Sequence, residues 1–121
     1  MILKDFPYLE EFKVKFPITD ETVFAYKNVF YSNHDISYDL LAHELKHCER
    51  QNKIGADKWI KNYLERDSFR LNEELIAFSA QLNSIKDRNE RNEIRIKAAQ
   101  SLSGKLYGEI ITYAEAFNKL R

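Results

Sequence analysis

Residues 43–47 read His43-Glu44-Leu45-Lys46-His47, the HExxH pattern, and hold two of the three histidines in the chain. Imidazoles four residues apart lie about 40° apart around a helix, so both can reach one Zn²⁺ ion. Glu44 sits about 60° round from His47, too far to share the ion comfortably but close enough to hold and deprotonate a water there. The pattern offers two ligands and one base. The plainer alternative is a helix with two histidines on a polar face.

A helical wheel separates these groups from the rest of their segment. Leu41, Leu45 and Cys48 cluster as an expected apolar back, with Cys48 read as a small core residue. Leu40, His43, His47 and Gln51 form another face, bordered by Glu44. A catalytic zinc site needs a third protein ligand and an open position. In the segment that follows Asp67, Glu74 falls inside the arc between Ala77 on one side and Leu71, Leu75, Phe78, Leu82 and Ile85 on the other, whereas Glu73 falls outside it. An unpaired carboxylate aimed into a core is costly. Glu74 therefore wants a partner, either a metal held by the two histidines or an arginine such as Arg70. The HExxH pattern favours the metal.

The elements that must position these groups follow from periodicity. Phe12, Val14 and Phe16 alternate with charged residues, which predicts a strand ended by Pro17. Thr19-Asp20-Glu21 reads as a turn. Residues 23–26 and 29–31 read as a hairpin around Lys27-Asn28. Helical spacing then begins, with Ser37 as N-cap and Gly55 as stop. A second helix spans about 56–66, with Trp59 as its core anchor. A third, capped by Asp67 or Ser68, runs to about Lys86, and a fourth covers Ile94 to Ser103 before Gly104. The charged run from Asp87 to Glu93 reads as a solvated junction or helix face. Ile110-Ile111 is a β-prone pair, and Thr112 with Glu115 matches a capping box. The expected fold class is α+β: a short antiparallel sheet in the N-terminal third, then a helical bundle, all within one domain over 1–121.

Composition limits the function classes. Nineteen basic and nineteen acidic residues cancel, which removes the electrostatic footprint of a nucleic-acid binder. A single cysteine excludes an intrachain disulfide framework. No apolar run suits a signal peptide or a membrane span. The expectation is a cytoplasmic protein without nucleic-acid or membrane partners.

The HExxH run, the stretch Phe69-Arg70-Leu71-Asn72-Glu73-Glu74 and the tail Leu106-Tyr107-Gly108-Glu109 together resemble the gluzincin metallopeptidases. The likeness is to the small, single-domain, zincin-like proteins of phages and bacteria, and it extends over most of residues 23–117. It implies His43, His47 and Glu74 as Zn²⁺ ligands and Glu44 as general base. Peptide or protein substrates would be hydrolysed through a zinc-activated water. It also implies that the strand near Val29-Phe30-Tyr31 rims the cleft, where a peptide could pair with its edge. At Ile76 the chain departs from many relatives, which carry an acid there. A further donor is needed for the developing oxyanion. Tyr63, Tyr107 and Tyr113 are phenolic candidates, and Gly108 favours Tyr107 because it suggests a turn able to approach the site. His34 reads as a loop residue. The alternative is a non-catalytic zincin-fold protein with a structural zinc or a polypeptide-binding cleft.

Overall fold

The computed structural model describes residues 1–121. The chain is mainly helical, with six helices and one two-stranded antiparallel sheet, an α+β arrangement. In chain order these are α1 (Leu9–Lys15), β1 (Phe24–Tyr26), β2 (Val29–Tyr31), α2 (Tyr38–Ile54), α3 (Ala56–Glu65), α4 (Asp67–Asn83), α5 (Arg88–Ser103) and α6 (Tyr113–Lys119). Short 3₁₀ turns occupy Leu3–Asp5 and Lys105–Tyr107. No helix is long and apolar enough to cross a membrane.

The expected strand over 11–16 is instead α1. Leu9, Phe12 and Phe16 are buried at helical spacing, while Val14, needed on the inner face of a strand, is 90% exposed. The hairpin forms where expected. Its register pairs Tyr26 with Val29 across Lys27 and Asn28. Both turn residues have positive φ (51° and 64°), the backbone twist that two-residue hairpins need. On the outer side of β1, Gln51 of α2 donates to the Ala25 carbonyl at 2.7 Å and accepts from the Lys27 amide at 3.2 Å. One buried side chain thus docks the sheet on the HExxH helix.

Helix boundaries follow local chemistry with some corrections. Ser37 and Gly55 flank α2, although the Ser37 hydroxyl makes no cap bond. Arg66 occupies the N-cap position of α4, so Asp67 lies in its first turn rather than capping it. That helix ends at Asn83, short of Lys86. The charged run belongs to α5, which starts at Arg88 because the Asp87 carboxylate accepts from the Glu90 amide at 2.8 Å. Thr112 caps α6, accepting from the Glu115 amide at 3.2 Å. Ile110 and Ile111 lie in the connection before it and form no strand.

Two apolar clusters flank the central helices. One joins Phe6, Leu9, Phe12 and Phe16 to the hairpin and to Trp59, Ile60 and Tyr63 of α3. The other joins Phe78 and Leu82 of α4 to Ala98, Ala99 and Leu102 of α5 and to Ala116 and Leu120 at the C-terminal end. Tyr107 packs against both. Helices α2 and α4 lie against each other between the clusters, which is where the chemistry-bearing residues meet.

Candidate metal centre

Helix α2 buries its polar face. His43, Glu44, His47, Cys48 and Gln51 are buried, whereas Leu45 is 51% exposed and Leu41 only half-buried. The expected apolar back of Leu41 and Leu45 thus faces outward, and only Cys48 among the three is core. Polar groups drawn into an interior need partners, and α4 supplies them. Glu74 meets both imidazoles: its Oε1 is 3.0 Å from His43 Nε2, and its Oε2 is 3.2 Å from His47 Nε2. One ligand atom from each residue lies within 4.8 Å of the others, and all three residues are buried.

The ring orientations have visible causes. His43 Nδ1 faces Gln81 Oε1 at 3.0 Å, and the Gln81 amide donates to Asp39 Oδ2 at 2.8 Å. Since a carbonyl oxygen only accepts, this contact has His43 Nδ1 donating to Gln81 and turns Nε2 towards Glu74. Asp39 fixes which end of the Gln81 amide points at the ring. Ile76 does not line the cavity, so the support expected from an acid at that position comes from Gln81 and Asp39 instead. Gln81 follows Glu74 by seven residues, two helical turns on the same face, and Asp39 precedes His43 by four. Those spacings were the available signal for both.

Tyr63 of α3 donates its phenol to Glu74 Oε2 at 2.6 Å. Burial and the neighbouring Glu74 charge push the Tyr63 phenol well above its usual value, so it stays a donor. Burial alone would raise the Glu74 carboxyl. The His47 charge and the bonds from both imidazoles outweigh it and hold Glu74 well below the usual range. Glu73 is as buried as its neighbour, at 0% exposure, against the expectation that it lies outside the packed arc. It accepts two bonds of 3.0 Å from Arg50 and one of 2.8 Å from the Trp59 indole. Helix α4 is packed on α3 as well as on α2, which buries both acids, but only Glu74 is left for the histidines.

Two atoms in this buried region lack a protein partner, Glu44 Oε2 and His47 Nδ1. Glu44 lines the same cavity, about 510 Å³, as His43, His47, Glu74 and Tyr107. Burial drives its carboxyl up to about 8, opposed by His43 and reinforced by Glu74. Two buried acids and two imidazoles line one cavity without a Lys or Arg partner. Arg70, the one buried side chain of either type, is committed elsewhere. A divalent ion would balance Glu74 and favour the ionised form of Glu44, and two nitrogens with one carboxylate oxygen are a donor set suited to such an ion. The residues fit a metal.

The other sequence candidates separate clearly. Tyr107 lines the cavity, packs edge-on to Phe78 with ring centroids 6.2 Å apart, and has a phenol raised by burial and by the Glu74 and Glu44 charges. Tyr113 stacks on Phe117 on α6, away from the cavity. The His34 ring contacts the carbonyls of Asp35 and Glu21 in a loop. The strand that borders the cavity is β1, through Phe24 and Ala25, and not the expected Val29-Phe30-Tyr31. The hairpin turns β2 to the outer side, where the Met1 amino group donates to the Phe30 carbonyl and the Ser32 amide donates to the Met1 carbonyl. Comparisons of the chain with protein-family models, curated proteins and solved structures give no match.

Proposed function

We propose that the chain is a zinc-dependent peptidase of the minimal gluzincin kind, with a zincin-like arrangement of hairpin, HExxH helix and glutamate helix. His43, His47 and Glu74 hold the ion, and peptide or protein segments enter the cavity between β1 and α5. When bound, the zinc supplies Lewis acidity and brings the pKa of water towards about 7. Glu44 accepts the proton of the attacking water at Oε2 and passes it to the leaving amine. The Tyr107 hydroxyl donates to the oxygen on which negative charge develops. Gln81 and Asp39 keep the Nε2 atom of His43 turned towards the ion.

One observation carries this reading. Glu44 Oε2 is buried, has no protein partner and borders the same cavity as the three ligands. A site needed only for structure has no use for a second, unpaired carboxylate, which costs stability to bury. A second reading, a cleft that binds polypeptide without cutting it, is favoured by the largely apolar lining, which includes Phe16, Ile18, Phe24, Phe78 and Ile94. The substitution E44Q separates the two. For the peptidase it should leave zinc content and folding intact and lower turnover of a peptide library by about 10²- to 10⁴-fold, the usual worth of a general base. Equal and measurable cleavage by wild type and E44Q would remove Glu44 from the chemistry. Binding of the library by both, with cleavage by neither, would establish the cleft instead.

A further inference from the structure

Arg70 is the largest side chain buried almost completely, at 1% exposure, and it touches none of the proposed ligands. It stands one turn before Glu74 on α4. Its Nη1 donates to the Tyr63 carbonyl at 2.6 Å, and its Nε donates to the Tyr107 carbonyl at 2.9 Å. Nη2 pairs with the Asp67 carboxylate. The guanidinium also lies over the Phe16 and Tyr63 rings, 5.0 and 5.9 Å from their centroids.

Tyr63 lies in the last turn of α3, where backbone carbonyls have no partner within the helix. Tyr107 ends the 3₁₀ turn before Gly108. One planar fork therefore joins the C-terminal turns of two elements that both carry phenols of the site. Gly108 makes the approach possible. Its φ of +92° suits glycine, and a Cβ there would stand 3.0 Å from Arg70 Nη2. Lysine cannot reproduce this geometry, because an ammonium is a point charge without a fixed fork.

We propose that Arg70 is a positioning residue of the metal centre: by holding the Tyr63 and Tyr107 carbonyls together, it sets the Tyr63 phenol on Glu74 and the Tyr107 phenol in the cavity. The role rests on the metal reading above and acts through Tyr63 on the carboxylate that ligates. Outer partners of a metal ligand are typically worth about 10- to 100-fold in affinity.

The test is a double-variant cycle read as metal affinity, with Zn²⁺ measured by chelator competition and Co²⁺ by its visible absorption spectrum. Y63F should weaken Zn²⁺ binding by about tenfold. R70K should weaken it at least as much and alter the Co²⁺ spectrum in the same direction. The double variant R70K/Y63F should lose no more than the weaker single variant, because both substitutions release the same carboxylate. A merely structural Arg70 lowers the melting temperature and leaves affinity and spectrum unchanged, or gives losses that multiply; either result overturns the proposal. If R70K does not fold, G108A keeps the guanidinium but sets a Cβ 3.0 Å from Nη2 and so displaces the fork, and the same cycle with Y63F applies. Unchanged affinity in G108A would then overturn it. Wild-type protein that takes up neither Zn²⁺ nor Co²⁺ overturns the metal reading itself, a result distinct from uptake that is indifferent to Arg70.

Discussion

At Gln81 a neutral amide does work that a carboxylate could also do, and the difference is one of charge. The site already buries Glu44 and Glu74. A third acid against His43 would add repulsion, whereas an amide oxygen orients the ring without it and hands the remaining demand outward to half-buried Asp39. Q81L should keep the fold, since the volumes are similar, but it strips the acceptor from His43 Nδ1. The expected loss of zinc affinity is about 10- to 100-fold, and D39N, one bond further out, should cost less. Isothermal titration in the presence of a competing chelator measures both; wild-type affinity in Q81L would mean that the ring needs no such support. The residues of the site were legible to different degrees for a physical reason. His43, Glu44, His47 and Glu74 stand out because helical spacing puts each at a computable angle on its own helix. Contacts between helices are not encoded in spacing, so the Arg50–Glu73–Trp59 network and the double grip of Arg70 emerged only from packing.

Among the elements, α1 shows why a short segment misleads. Over the eight residues from Leu9 to the C-cap Phe16, Phe12, Val14 and Phe16 satisfy a period of two while Leu9, Phe12 and Phe16 satisfy the helical period. Burial against Phe6, Phe24 and Tyr63 decides between them. The longer α2, α3 and α4 were legible because several turns repeat the same signal and Gly55 marks a stop. The faces of α2 were harder to assign, since its buried side is polar and hydropathy points the wrong way. The junction of the N-terminal segment, hairpin and α3 carries its own pH response. The phenols of Tyr8 and Tyr26 donate to Asp57 Oδ1 at 2.7 and 2.5 Å. Those bonds, from Tyr26 first and Tyr8 next, lower the Asp57 carboxyl. A group lowered on folding adds stability above its ordinary value near 3.8, and that contribution is lost as pH falls through the lower folded value. Tyr8 is the mirror case. The bond to Asp57 raises its phenol from 10.0 to about 12, so the stability it adds is complete below 10 and lost as pH rises towards 12. D57N should return the Tyr8 titration towards 10, read as the tyrosinate absorption difference between D57N and D57N/Y8F, and should flatten the acid limb of the melting curve. A Tyr8 midpoint unmoved in D57N would place the cause of its shift elsewhere.

For the molecule as a whole, the site lies where two otherwise separate apolar clusters meet. The N-terminal segment, hairpin and α3 form one, the C-terminal parts of α4 and α5 with α6 form the other, and Tyr107 touches both. An ion held by His43 and His47 of α2 and Glu74 of α4 would join the two central helices and balance Glu74 in one step. Binding to the folded state alone stabilises it by RT ln(1 + [L]/Kd), about 2.7 kcal/mol at a hundredfold excess over Kd. For a domain of this size that corresponds to a rise in melting temperature of roughly 10 °C. Zn²⁺ should produce this rise and Mg²⁺ should not, because a set with two imidazole nitrogens suits the first and not the second. H47A and E74A should each abolish the shift, whereas H34A, in the loop, should retain it in full. A melting temperature indifferent to zinc, or a shift that survives H47A, would mean that the ion binds elsewhere or not at all, and that Glu74 is held in the core by the histidines and Tyr63 without an ion.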